Sequence, residues 1–260
     1  MALTAEARVR EAGLDAVALK PAECDVSAAH DLPFGAVVLD YEGREHLPGR
    51  DVLSALADSY DLRVTVPVRA DGFDPLGDDS LDDALPETAG RVFVAGHGAY
   101  LSDAERTRAV APRLGAAVET HPDAWVGTAG VERLALATGA GQFELLSRST
   151  ARDLRALRAA GFDGYVAVYA PVVLTDDEDA VLDAVGEYTA RRPPVARALP
   201  EDASTDATAA GRAREVLSKA VRDFALVGTP STVGERVAAL KEAGADAVVG
   251  YPARGPDEFR

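Results

Sequence analysis

The sequence predicts an α/β fold, a (β/α)8 barrel of TIM type, in one domain spanning residues 1–260. Three observations lead there. Eight short apolar runs alternate with amphipathic helical stretches over 260 residues, the usual length of an eight-unit barrel. The runs are apolar at consecutive positions rather than at every second one, as in parallel strands covered on both faces. One design also recurs three times: a helix, then Ala-Gly, then an acid-bearing turn into a strand. It reads REAGLDAVAL at 10–19, RAAGFDGYVAV at 158–168 and KEAGADAVVG at 241–250. The competing open doubly wound sheet carries G-x-G-x-x-G after its first strand; the residues here are KPAECD.

Taken in order, a helix at 4–13 leads to a strand at 15–19 (DAVAL) and another at 35–39 (GAVVL). DVLSALADSY at 51–60 reads as a helix with Asp51 as N-cap. Strands follow at 62–68 (LRVTVPV) and 91–95 (RVFVA). Ser102-x-x-Glu105 is a capping box opening a helix over 102–114. The fifth strand is read at 115–118 (GAAV), the sixth at 143–147 (FELLS), and a helix at 149–160 closes on Gly161. The seventh strand is 165–173 (YVAVYAPVV), with helices at 176–189 and 205–221 and an ambiguous run at 223–227. A helix at 232–243, opened by Thr232-x-x-Glu235 and closed by Gly244, precedes the last strand at 246–250. Two stretches break the pattern. Residues 70–87 are acidic and rich in Gly and Pro, a loop over a strand end; residues 191–210 link two outer helices.

Composition narrows the function. Lys plus Arg is 27 against 43 Asp plus Glu, a formal charge of −16. That excess repels phosphate backbones and anionic bilayers, which argues against nucleic-acid and membrane partners. No run is long enough for a transmembrane helix. The acids in MALTAEARVREAGLDAV argue against a signal peptide, so a cytoplasmic location is expected. The lone Cys24 excludes an internal disulfide and multi-cysteine metal sites. Lys20, Lys219 and Lys241 are the only lysines. Few Lys and many Asp and Glu make the haloarchaeal type of composition, suited to concentrated salt where self-repulsion is screened. Whether the chain forms homo- or hetero-oligomers stays open.

Barrel enzymes work at the C-terminal ends of their strands. The residues there are Lys20; Asp40 and Tyr41; Arg69 and Asp71; His97 and Tyr100; Glu119 and His121; Arg148 and Ser149; Tyr169; Tyr251 and Arg254. Two of the four histidines, His97 and His121, follow strand ends, where imidazoles serve as general bases. With Glu119 they could also hold a divalent metal, although no metal is expected. The expectation is that both rings line one cavity, faced by Tyr169 and Arg148. Gly96, Gly98 and the helix start at Ser149 present backbone N–H groups to an anion, and Arg148 and Arg254 add positive charge. No G-x-S-x-G elbow occurs.

The stretch DFALVGTPSTVGERVAALKEAGADAVVGYPA at 223–253 resembles the closing unit of the bacterial luciferase-like monooxygenases, which include flavin- and coenzyme F420-dependent oxidoreductases and methylene-tetrahydromethanopterin reductases. The matching positions are Gly228, Thr229, Pro230, Val233, Ala243, Gly244 and Asp246. Residues 165–185 and REAGLDAVAL are similar to the family's strand–helix and helix–strand units. The resemblance covers about a third of the chain. It implies a short luciferase-like barrel and a flavin- or F420-dependent oxidoreductase acting on a small molecule. FMN or F420 would be the cofactor, with His97, His121 and Tyr169 on the reacting face and Arg148 and Arg254 at its phosphate. The chain is shorter than the family's usual length, with little room for the insertion that closes over substrate, and 40–141 has no match. A non-catalytic barrel, serving as partner subunit or ligand-binding protein, is the alternative. A cofactor-free lyase using Lys20 as a Schiff base is a third reading.

Overall fold

The computed structural model describes residues 5–260. The domain read from the sequence starts at Met1; residues 1–4, including the start of the first helix at Thr4, lie outside the described residues. Eight parallel strands close a barrel. They are β1 (Ala16–Leu19), β2 (Ala36–Leu39), β3 (Asp61–Pro67), β4 (Gly90–Val94), β5 (Trp125–Gly127), β6 (Gly141–Leu145), β7 (Val166–Val173) and β9 (Ala247–Pro252), which pairs with both β7 and β1. The remaining strand, β8 (Leu226–Val227), pairs with the last residues of β7. Val172 already pairs with Pro252 on one edge, so β8 must lie on the other, where β6 has ended. It extends the barrel wall at the mouth.

Alternation divides each strand between two cores. Ala16, Ala18, Val38, Val92, Phe143, Ala167, Tyr169 and Val249 fill the inside. Outward residues such as Val17, Val37, Val64, Phe93 and Val168 pack with the helices in a larger outer core. Those helices include α1 (Ala5–Ala12), α2 (Arg50–Ser59), α4 (Val110–Thr120), α6 (Thr150–Ala159) and α10 (Pro230–Ala243). A third cluster joins α7 (Glu178–Ala190), α8 (Pro193–Ala196) and α9 (Gly211–Phe224) to Val173 and Val227, beside the mouth. Among the described residues, no helix is long and apolar enough to cross a membrane.

The repeated Ala-Gly-x-Asp design works across strands. Asp246, just before β9, accepts the Val166 N–H of β7 at 2.7 Å and the Arg158 guanidinium at 2.6 Å. Asp15, just before β1, likewise accepts the Val248 N–H of β9 at 2.7 Å and the Lys241 ammonium at 2.6 Å. Each carboxylate therefore satisfies an N–H at the start of a neighbouring strand, the first of β7 and the second of β9, and the basic residue comes from the helix that leads into another copy of the design. Gly244 turns α10 into this arrangement at φ 121, with Arg158 packed where a side chain would sit.

Several sequence expectations are corrected. GAAV at 115–118 is not a strand but the middle of α4, where Leu114 and Ala117 form the buried face. Strand five is the three-residue run Trp125–Gly127. The expected helix over 102–114 is split: its capping box opens only the four-residue α3 (Asp103–Arg106), and α4 starts afresh at Val110. The N-caps of α2 and α10 are Gly49 and Thr229, not Asp51 and Thr232. In the ambiguous run, Asp223 and Phe224 belong to α9, and only Leu226–Val227 is strand.

The 68–89 connection runs from the C-terminal end of β3 to the N-terminal end of β4 without a helix or strand. It crosses the outside of the barrel, where such units normally place a helix. It is pinned instead by Phe73 and Leu85, both 2% exposed, and by the buried Asp74 paired with Arg108 (3.2 Å) and Arg113 (2.8 Å).

Helices α1 and α10 pack so closely that a Cβ on Gly234 would lie 2.3 Å from the Glu11 carbonyl oxygen. Intrinsic propensity makes Gly234→Ala a gain of about 0.5–1 kcal/mol. The contact reverses the sign: a loss of about 1–3 kcal/mol is expected, because backbone must move. A thermal melt checks it, and an unchanged or raised midpoint rejects this account of the packing.

Candidate functional site

The C-terminal strand ends surround a cavity of about 220 Å³, lined among others by Asp40, Thr65, His97, Tyr100, Phe143 and Tyr169. Asp40 follows β2, and its N–H continues the ladder to the Leu19 carbonyl at 2.9 Å. That contact aims its carboxyl at the barrel axis. The Thr65 hydroxyl donates to Asp40 Oδ1 at 3.1 Å while accepting the Tyr41 N–H at 2.7 Å. Thr65 has one proton, so this geometry commits it to Asp40. Burial pushes the Asp40 carboxyl up to about 6, with Lys20 and the Thr65 hydrogen bond opposing. The phenols stay neutral: burial raises Tyr100 to about 12 and Tyr169 well above the usual range. The mouth therefore holds one carboxyl that titrates near physiological pH, among uncharged donors.

Lys20 follows β1, with its Nζ 3.1 Å from Glu42, 3.2 Å from Glu23 and 4.9 Å from the centre of the Tyr251 ring. Burial works against its charge, but Glu23, Glu42 and Asp40 outweigh burial, and the ammonium is held above its ordinary range. An amine kept protonated is a poor Schiff-base nucleophile, so the lyase reading loses its residue. The Tyr251 hydroxyl donates to Glu23, and its ring stacks at 6.4 Å on Tyr169.

His97 is where the sequence puts it, at the mouth. Its Nδ1 accepts the Ala99 N–H at 3.1 Å, which places the proton of the neutral ring on Nε2. Gly96, at φ 91, makes the turn that presents it. Arg69 holds this loop by donating to the carbonyls of Ala95 (2.6 Å) and Gly96 (3.0 Å), and Arg106 donates to that of Gly98 (2.7 Å). Gly96 thus shapes the cavity, whereas Gly98 faces Arg106.

His121 is not at the mouth. It is the C-cap of α4, where the chain turns into β5 at the opposite end of the barrel. Its Nε2 lies 3.1 Å from Asp82 of the 68–89 connection. Glu119 is exposed in the last turn of α4. The misplaced fifth strand is the reason: residues read as following a strand follow a helix. The shared cavity for His97 and His121 and the metal set with Glu119 fall together. Among the described residues, no three His, Cys, Asp or Glu are grouped to hold a metal. Arg254 pairs with Glu258 at 3.5 Å and lines neither this cavity nor the next.

A second cavity, of about 540 Å³, opens at the start of α6. Ser147, Arg148, Ser149 and Arg152 form one wall, and Val216 and Phe224 of α9 belong to the other. The Ser147 hydroxyl lies 3.2 Å from those of Ser149 and Thr150. Ser149 is the N-cap of α6 but makes no side-chain capping bond. Among the described residues, Arg148 has no hydrogen bond or ion pair. An uncapped helix start beside a free guanidinium is an anion-accepting arrangement. Leu145 lines the mouth and Ser147 this cavity, so one short segment borders both.

Sequence reasoning puts Asp40 and Tyr100 at strand ends without giving either a role, and it passes over Thr65 and Phe143. An acid directly after an apolar strand is the local signal for Asp40. Thr65 carries no such signal, since its role comes from the neighbouring strand.

The sequence model of a family described as "Family of unknown function (DUF7388)" matches residues 9–259. No curated protein matches the chain. Among solved structures, an F420-dependent secondary alcohol dehydrogenase in complex with an F420–acetone adduct is similar, at 11% identity and a TM-score of 0.58. The match covers 95% of this chain and 97% of that one. At this identity the likeness is one of fold, and it bears out the barrel.

Proposed function

The chain belongs to DUF7388, a family of unknown function, and from there we propose that it is a luciferase-like oxidoreductase using F420 or FMN on a small molecule. The observation that carries this reading is that residues 145–147 border two cavities: an aromatic mouth with one titratable carboxyl, and an anion-accepting helix start. Those residues suit a cofactor with a flat ring and a phosphate. The similar fold of an F420-dependent dehydrogenase supports the same choice, though nothing separates F420 from FMN.

Bound there, such a cofactor would supply hydride chemistry. The chain's own residues supply the rest. Arg148 and the first turn of α6 hold the phosphate. Phe143 and Tyr169 wall the mouth and exclude water. His97 offers its Nε2–H to a substrate oxygen, and Asp40, fixed by Thr65, takes or returns a proton at its carboxyl.

Fluorescence titration with F420 and with FMN tests the reading. Micromolar binding, about −8 kcal/mol, is expected for one of them, weakened at least tenfold by Arg148→Glu. Failure of both to bind a well-folded protein rejects it. The mouth's modest volume supports the second reading, a non-catalytic barrel that binds a smaller ligand or acts as a partner subunit, since about 220 Å³ is below the ~300–1,000 Å³ usual for ligand sites.

A further inference from the structure

On the outside of the barrel, between α5 (Glu132–Ala137) and α6, lies a cavity of about 250 Å³. It exists because α5 has only six residues and leaves part of β6 uncovered. Phe143 and Leu145 point inward, so Gln142 and Glu144 point outward. At equivalent outward positions the barrel has Val17, Val37 and Val64. Two polar side chains on that wall are costly unless something answers them.

The chain answers them only in part. Gln142 is 3% exposed; its amide donates to the carbonyls of Ala140 (2.7 Å) and Ala135 (3.3 Å), and its side-chain oxygen accepts nothing from the described residues. Glu144 accepts the Thr128 hydroxyl through Oε2, and its Oε1 has no donor among them. Burial raises the Glu144 carboxyl, and the carboxylates of Glu132 and Asp153 add to this against the Thr128 hydrogen bond. No basic side chain lines the cavity, and Leu136, Leu154 and Leu157 line its apolar part.

We propose that this cavity binds a small organic cation with an apolar body, its ammonium on Glu144 and the Gln142 oxygen, its hydrocarbon against Leu154 and Leu157. The unmet groups are all acceptors, so the ligand must donate, and the surrounding carboxylates favour a positive donor. The leucines require that the rest of it be apolar. A cavity of about 150 Å³ takes benzene, so about 250 Å³ admits a ring or chain with an amine attached. The site is independent of the mouth, because β6 separates them.

Calorimetric titration of the full chain with benzylammonium, and with benzyl alcohol as the neutral isostere, tests the proposal. Saturable 1:1 binding of benzylammonium is expected, with the alcohol at least tenfold weaker. Glu144→Gln keeps the side chain's shape and should weaken benzylammonium at least tenfold. Leu157→Phe, which fills the apolar side, should abolish binding of both and serves if the first variant does not fold. No saturable binding, equal affinity for the alcohol, or binding that survives both substitutions overturns the proposal. F420 and FMN binding should be unchanged in Leu157→Phe, which keeps this test apart from that of the mouth.

Discussion

Replacing Arg91 by alanine should destabilise the protein by about 3–5 kcal/mol, the usual cost of breaking a buried ion pair from one side. Arg91 lies on the outward face of β4 and is 5% exposed. Its Nε donates to Asp82 Oδ1 at 3.0 Å, and its other nitrogens donate to the carbonyls of Pro86 (2.9 Å), Ala89 and Asp82 (3.2 Å). One guanidinium thus serves as the inner scaffold of the 68–89 connection, which has no helix to satisfy its own carbonyls. Alanine leaves the Ala89 carbonyl without a donor in a place water reaches poorly, while the Pro86 and Asp82 carbonyls keep the backbone N–H groups of Ala89 and Leu85. Asp82 keeps His121 at 3.1 Å and some solvent, which puts the loss nearer 3 than 5. At about 2–4 °C per kcal/mol for a chain of this size, the melting midpoint should fall by roughly 6–12 °C. Urea unfolding measures the free energy directly. A loss below about 1 kcal/mol would mean that the connection is held by Phe73, Leu85 and Asp74 alone.

Asp40→Asn should stabilise the protein at neutral pH while abolishing the proton transfer proposed for the mouth. The folded carboxyl titrates at about 6, above the ordinary value near 3.8. With the folded value raised, folded protein binds the proton more tightly than unfolded chain. Stability therefore falls as pH rises from about 4 to about 6, then stays lower by a constant amount. A rise of that size corresponds to about 3 kcal/mol, and the limited exposure of Asp40 puts the recoverable part at about 1–3 kcal/mol. Asparagine keeps a polar group for Thr65 and removes the charge. The variant's advantage should be small near pH 4 and full by pH 7.5, as read from paired urea titrations. An advantage that does not change with pH would show that Asp40 does not titrate in this window. A carboxyl kept in an unfavourable place at the mouth is a candidate for the proton transfer proposed there. If the oxidoreductase proposal holds, turnover should show a pH dependence centred near 6 that the variant lacks.

Much of the fold is legible in the chain alone. The period and consecutive apolarity of DAVAL, GAVVL and YVAVYAPVV are local properties, and they identify buried parallel strands wherever the chain goes. The Ala-Gly-x-Asp turns and the box at Ser102 and Glu105 are local too. From these follow the barrel, its mouth, the placing of His97, Arg148 and Ser149 just past strand ends, and that of Tyr169 on the seventh strand. Three-residue Trp125–Gly127 carries no period. It is a strand only because Val92, Phe93 and 141–143 lie on either side of it. GAAV has the apolarity of a strand but continues a helix already under way. That single exchange moves His121 from the mouth to the far end of the barrel.

The alternation of apolar runs and helices is local, and from it come a parallel α/β barrel and the end at which its site would lie. Which polar groups meet depends on the closed barrel. Thr65 turns to Asp40 because β2 and β3 are neighbours in a fixed register. Arg91 becomes a scaffold because the connection from β3 to β4 has no helix, and Gln142 and Glu144 face a cavity because α5 is short. Periodicity and capping act over a few residues and are written in the chain, whereas burial, pairing and unmet hydrogen bonds exist only once distant segments close on one another.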